Sequence, residues 1–214
     1  MGSECFVTNE LWVVKLGGSL AASTHLTSWL KALSLTNVII VPGGGSFADA
    51  VRKAQQYWHF DDRTAHDMAI LAMHQYGRML VGLCPKLLAT LNLEDLSQPT
   101  GGAKVWLPRP EALDEAGVPA TWDITSDSLA AWLASKLTAK HLLLVKSLIE
   151  LDNMAGKARE VCFTLAADSG WVDPAFDRYA ITQDFQSWLC GPEAHASLPQ
   201  AFSEPIKTFT RLRQ

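Results

Sequence analysis

The 214-residue chain has only four cysteines, Cys5, Cys84, Cys162 and Cys190, and no CxxC pair among them. That scatter excludes a zinc knuckle and a dithiol redox motif. Free thiols of this kind read as small buried hydrophobes and fit a reducing cytoplasm. Long apolar runs are missing too. The longest, such as Val38-Ile39-Ile40-Val41, have strand length and fall far short of the roughly 18 residues of a membrane span. Nor is there an excess of positive charge. Eighteen Lys+Arg against 22 Asp+Glu give a net charge of −4. This argues against a general grip on nucleic acid or an anionic membrane, while leaving room for a local basic pocket. The first residues, Met1-Gly2-Ser3-Glu4-Cys5, lack the basic and apolar regions of a secretory leader. Phe6 stands where a myristoylation motif needs Ser or Thr.

What is present is a hydrophobic fraction of 48%, enough to bury a substantial core. The expectation is one domain over residues 1–214, with lobes near 1–110 and 111–214. Short continuous apolar runs alternate with helical patterns. Strands are expected at residues 11–16, 37–41, 104–107, 141–146 and 187–190, and a last one at 205–209. The helix over 25–35 places Leu26, Trp29, Leu30 and Leu33 on one stripe. Ser46 is expected to cap a helix with Phe47, Ala50, Val51, Ala54 and Tyr57 inward. A longer helix over 63–83 carries Met68, Leu71, Ala72, Gln75 and Met79 near one stripe, and another spans 126–137. Unalternating apolar strands separated by helices predict an α/β fold whose mostly parallel sheet is covered on both faces. Ligands in such folds sit at the carboxyl ends of strands.

Two of those ends are glycine-rich: Lys15-Leu16-Gly17-Gly18-Ser19 and Pro42-Gly43-Gly44-Gly45-Ser46. Glycine lets backbone N–H groups face an anion without a Cβ in the way, and the second cluster also opens a helix. One such cluster is an ordinary tight turn; two, with a lysine just ahead of the first, read as a phosphate cradle. Neither matches a Walker A loop or GxGxxG. Lys15 ends an apolar strand, where a lysine is rarely buried without a partner. There it can neutralise charge on a transferring phosphoryl group.

Val14-Lys15-Leu16-Gly17-Gly18-Ser19, Val41-Pro42-Gly43-Gly44-Gly45-Ser46-Phe47-Ala48 and Thr125-Ser126-Asp127-Ser128-Leu129-Ala130-Ala131 resemble, in order and spacing, three successive motifs of the amino acid kinase superfamily. The resemblance implies a three-layer αβα sandwich, ATP with Mg²⁺ as donor and no dedicated protein metal site. The acceptor would be a small-molecule phosphate or carboxylate, bound in the N-terminal lobe, with ATP in the C-terminal lobe. Carried over, Lys15 would stabilise the transition state and Asp127 would orient the catalytic lysines; a helix cap is the other reading of Asp127. Gly17, Gly18, Ser19, Gly44, Gly45 and Ser126 would meet phosphates, and Gly43 the acceptor. The run His66-Asp67-Met68-Ala69-Ile70-Leu71-Ala72-Met73-His74-Gln75-Tyr76-Gly77 is similar to the compact aminomethylfuran phosphate kinases of methanofuran biosynthesis. Their acceptor is a furfurylamine phosphate.

Arg63 and Asp67 stand four apart on one helical face, as an acceptor clamp or as a plain ion pair. His66 and His74 lack neighbours at zinc spacing and read as hydrogen-bonded side chains. The superfamily often follows its nucleotide-lobe strand with Thr-Asp-x-x-Gly; here Val145 is followed by Lys146-Ser147-Leu148-Ile149-Glu150. Lys146 is either a second phosphate-binding lysine or a sign of altered nucleotide binding. Asp173, in Gly170-Trp171-Val172-Asp173-Pro174, either aids positioning near the nucleotide or caps a turn. Eight tryptophans without interleaved basic residues read as core and as part of a homo-oligomer interface. Two other readings stay open: a carboxylate kinase forming an acyl phosphate, and a non-catalytic nucleotide-sensing or ligand-storage module.

Overall fold

The computed structural model describes residues 10–98, 101–147, 160–181, 184–198 and 200–214. Eight strands among them form one sheet: β1 (Trp12–Leu16), β2 (Ile39–Pro42), β3 (Leu88–Thr90), β4 (Lys104–Trp106), β5 (His141–Val145), β6 (Glu160–Cys162), β7 (Gln186–Cys190) and β8 (Thr210–Arg213), in the spatial order β3-β4-β2-β1-β5-β7-β8-β6. The first six in that order run parallel, and β8 and β6 run the other way. The α/β expectation holds, with helices on both faces of a largely parallel sheet.

Among the described residues the α-helices are α1 (Leu26–Leu33), α2 (Gly45–Trp58), α3 (Asp62–Leu83), α4 (Leu93–Ser97), α5 (Pro110–Glu115), α6 (Ser126–Lys136), α7 (Phe163–Asp168), α8 (Phe176–Ala180) and α9 (Gln200–Ser203). Side chains alternate across the sheet. From β1, Trp12, Val14 and Leu16 join one core with α1, while Val13 joins the other with α6. Lys15 shares the parity of Val13 and so faces α6. That helix is buried from Ser126 through Ala134.

Several expectations are corrected. α3 turns inward on Ala65, His66, Ile70, Ala72, Met73, Tyr76, Gly77 and Leu80, whereas Met68 and Leu71 are exposed. Gly77 sets that phase: a Cβ there would come within 2.5 Å of Leu107 Cδ2. α2 buries Ala48 and Val51, and Tyr57 is exposed. The residue at the α2 N-cap is Gly44, and no side chain caps the helix, so Ser46 does not play that part. Pro205 opens a short 3₁₀ turn, and the last strand starts only at Thr210. Of the cysteines, Cys190 is buried, Cys84 partly so, and Cys162 is exposed; Cys5 lies outside the described residues.

Candidate active site

β2, β1 and β5 are neighbours in parallel register, with Lys15 opposite both Val41 and Leu144. Their carboxyl ends therefore bring Gly17-Gly18, Gly43-Gly44-Gly45 and Lys146-Ser147 to one edge. The ladder continues past the strands through Gly17 N to Val145 O (3.1 Å) and Gly43 N to Leu16 O (2.9 Å). The two bends press on each other. A Cβ on Gly18 would sit 2.2 Å from Gly45 N, and Gly45 has φ 55°, a left-handed conformation that favours glycine. Glycine is thus demanded here by bend-to-bend contact as well as by room for a ligand. Gly43 meets the first bend in the same way, 2.5 Å from Gly18 N. With no side-chain cap at Gly44, the first-turn N–H groups of α2 are left for other acceptors.

Below the bends lies a cluster of three charges. Lys15 Nζ is 2.8 Å from Asp127 Oδ1, and Lys146 Nζ is 2.5 Å from Asp127 Oδ2. Lys15 and Asp127 are 4% and 3% exposed, so neither charge is relieved by water. Lys15 Nζ also stands at the first bend, 3.8 Å from the position a Cβ on Gly17 would take. Burial pulls the Lys15 pKa down to about 8, against the pull of Asp127 in the other direction. Burial alone would raise Asp127, but Lys146 and Lys15 outweigh it and hold the carboxyl at about 2. Two cations sharing one anion leave the cluster with an excess positive charge.

Asp127 is placed by α6, and α6 is anchored by Asp173. The Asp173 carboxylate accepts from Thr125 N (2.9 Å), Thr125 Oγ1 (2.9 Å), Ser128 N (3.0 Å) and Ser128 Oγ. Thr125 is the N-cap residue of α6 yet makes no cap of its own. A carboxylate 45 residues on in sequence supplies the acceptor instead, so Asp173 caps a helix start and not a turn. Burial and the nearby Asp127 charge push the Asp173 pKa up. Ser19 Oγ donates to Ser147 Oγ at 2.9 Å, tying the first bend to the end of β5.

Beside the bends opens a cavity of about 550 Å³, lined by Gly18, Ser19, Gly44, Gly45, Ser46 and Ser126 on its polar side. Phe47, Ile70, Met73, Trp122, Ile124 and Leu129 provide its apolar wall. Its arginine is Arg52, whose guanidinium lies 4.5 Å from the Trp122 ring centroid and 3.1 Å from Asp49. Arg63 is not in the lining. It pairs with Asp67 at 3.3 Å and with Asp114, and it is largely exposed. Of the two readings of Arg63 and Asp67, this geometry is that of the ion pair. Arg52 went unnoticed in the sequence although it stands seven residues, two helical turns, from Gly45. His74 bonds to Pro108 O at 3.1 Å. Among the described residues no group of three or more His, Cys, Asp or Glu side chains could hold a metal ion.

The architecture is that of an α/β protein with a ligand-sized crevice and a cationic cluster at the carboxyl edge of a largely parallel sheet. The amino acid kinase family model matches residues 10–148, and the chain belongs to that family. It is 30% identical over 138 residues to the [5-(aminomethyl)furan-3-yl]methyl phosphate kinase of Methanocaldococcus jannaschii, a match covering 62% of this chain and 63% of the relative. The fold is shared with UMP kinase from Ureaplasma parvum (TM-score 0.65, 14% identity, 96% of this chain and 99% of the other). Uridylate kinase from Archaeoglobus fulgidus is equally similar (TM-score 0.65, 14% identity, 95% and 98%).

Proposed function

We propose that the protein is an ATP- and Mg²⁺-dependent kinase that phosphorylates a small acceptor already bearing a phosphate, a furfurylamine phosphate or close analogue. The observation that carries this reading is the Lys15–Asp127–Lys146 cluster, with excess positive charge, set where two glycine bends meet an open cavity. Phosphoryl transfer asks a protein for positioning and charge neutralisation more than for covalent chemistry. Lys15 and Lys146 would neutralise charge on the transferring group. Asp127 would hold both ammonium groups in place, and Asp173 would hold Asp127. N–H groups of the bends and of the first turn of α2, with Ser19 and Ser126, would receive phosphate oxygens.

The donor set fits a polyphosphate. It offers cations and N–H groups in a crevice where a side chain on Gly18 would collide with the opposite bend. ATP supplies the phosphoryl group, and Mg²⁺, which retains waters and phosphate ligands readily, needs few protein ligands. The acceptor phosphate would meet Arg52, while the apolar wall takes an uncharged ring. The aminomethylfuran phosphate kinase relative supports this acceptor class. The proposed setting is a cytoplasmic homo-oligomer, in keeping with the free Cys84, Cys162 and Cys190.

The test is ADP release from Mg-ATP with [5-(aminomethyl)furan-3-yl]methyl phosphate. A diphosphate product stable to hydroxylamine is expected. A product that hydroxylamine traps would make the protein a carboxylate kinase. Tight nucleotide binding with no ADP release over a broad acceptor panel would make it a non-catalytic module.

A further inference from the structure

His66 lines the cavity yet takes no part in the phosphate chemistry above. It sits in the second turn of α3, 5% exposed. Its Nδ1 lies 3.2 Å from the carbonyl oxygen of Thr121, which can only accept, so Nδ1 carries the proton. The lone pair is then on Nε2, and this buried atom has no hydrogen-bond partner. Burial depresses the ring's pKa, against Asp67 and Asp114, which raise it, and alongside Arg63, which lowers it further. The imidazole is therefore neutral near pH 7. One donor that lines the same cavity, Trp122 Nε1, is engaged by Gln55 Oε1 at 2.8 Å.

A buried acceptor lone pair with no donor is unfavourable and rare. Ile70, Ile124 and Trp122 line the same cavity, a wall suited to a flat ring and unable to satisfy a lone pair except through the indole N–H already used. We infer that His66 is a specificity residue whose Nε2 accepts a hydrogen bond from an ammonium or hydroxyl group on the acceptor's ring. The acceptor class is then a small apolar ring with a phosphate-bearing arm and a second, donor-bearing arm. This inference rests on the kinase reading, whose proposed acceptor already carries both arms, and adds to it the residue that reads the second arm.

Three acceptors test it: [5-(aminomethyl)furan-3-yl]methyl phosphate and its counterparts with hydroxymethyl or methyl in place of aminomethyl. In the wild-type protein, kcat/KM for the methyl compound should be about 10- to 100-fold below that of a donor-bearing one. Which of the other two is preferred identifies the donor. His66→Phe should erase the discrimination and leave the KM for ATP unchanged, while His66→Gln, which keeps an acceptor oxygen, should retain much of it. The ¹⁵N resonance of His66 Nε2 should shift on binding the preferred compound and not on binding the methyl one, a response that a purely structural histidine would not give. Equal use of all three compounds by the wild type, or discrimination surviving in His66→Phe, overturns the role of His66 and leaves the kinase intact. No ADP release with any of the three overturns the acceptor assignment, and this inference with it.

Discussion

Lys15 and Lys104 are buried alike in one sheet, 4% and 3% exposed, but at opposite ends of their strands. Lys104 opens β4 at the amino edge. Its Nζ donates to Leu96 O at 3.1 Å and to the carbonyls of Asp95 and Gln98, so it satisfies the last carbonyls of α4. Every proton of that ammonium has a neutral, fixed acceptor. Lys15 lies at the carboxyl edge, shares its one carboxylate with Lys146, and stands beside an open crevice. The contrast teaches that burial alone does not mark a functional lysine. What marks Lys15 is incomplete neutralisation next to space for a ligand.

The largest test of that contrast is a pair of isosteric replacements. Lys15→Met should lower kcat/KM by about 10³-fold or more, the scale of losing a preorganised charge at a phosphoryl transition state. It should cost less than the roughly 3–5 kcal/mol of a stranded buried ion, because Lys146 still faces Asp127. Lys104→Met should do the reverse. Steady-state kinetics should be nearly unchanged, while denaturant unfolding shows a loss of about 1–3 kcal/mol from the orphaned carbonyls. Turnover surviving in Lys15→Met, or lost in a folded Lys104→Met, would break the comparison.

The two lysines were not equally legible in the sequence. Lys15 stood out because an apolar strand ran straight through it into Gly17-Gly18, and continuous apolar runs likewise revealed β1, β2, β5 and β7. Lys104 drew no notice, since the three-residue α4 end that needs it has no periodicity. β3 and β6 go unseen because Leu88–Thr90 and Glu160–Cys162 are short and mostly exposed, and the last strand is expected five residues early, at 205–209, because Thr210–Arg213 alternates with arginines at a partly exposed edge. The expected phase of α3 is a few residues off: Ile70, Met73, Tyr76 and Leu80 carry the buried stripe, and Gly77, which packs closest to Leu107, gives no hydrophobic signal to mark it. Arg63 draws attention over Arg52 because it stands four residues from Asp67, a spacing that fits a clamp and an ion pair alike. Asp173 could be seen as polar punctuation before Pro174, but its partners lie 45 and 48 residues away, beyond any local pattern.

Asp173 sharpens the comparison at intermediate scale, since it bears on Lys15 only through Asp127. Asp173→Asn places an amide N–H₂ among four donors, so α6 should loosen at its start. A loss of about 1–2 kcal/mol in stability is expected, typical of a lost helix cap, with kcat down about 10-fold and the KM for the acceptor little moved. Arg52→Ala should instead raise the acceptor KM about 10-fold with kcat nearly constant, as for a lost charge-assisted contact. Arg63→Ala, which removes an exposed ion pair, should change neither by more than about 2-fold.

The last test is the pH dependence of stability, and it separates the stability of the cluster from its use. Burial lowers the pKa of Lys15 from its ordinary 10.5 to about 8. Between those values the unfolded chain binds more protons than the folded one, so the unfolding free energy should rise with pH from about 8 to 10.5, by at most ~1.4 kcal/mol per pH unit for one proton. Turnover should fall through the same window, because the proton that burdens the fold is the charge the phosphoryl group needs. Asp127 works at the other end: its lowered pKa means a stabilisation present above about 4 and lost as pH drops toward 2. In Lys15→Met the alkaline rise in stability should shrink to the part left by Lys104, whose pKa is also lowered by burial. Urea titrations of wild type, Lys15→Met and Lys104→Met at pH 7.5, 9 and 10.5 measure each share. An alkaline rise no larger in the wild type than in Lys15→Met would mean that Lys15 gains as much from Asp127 as it loses by burial, and the ammonium would then be a structural ion like that of Lys104.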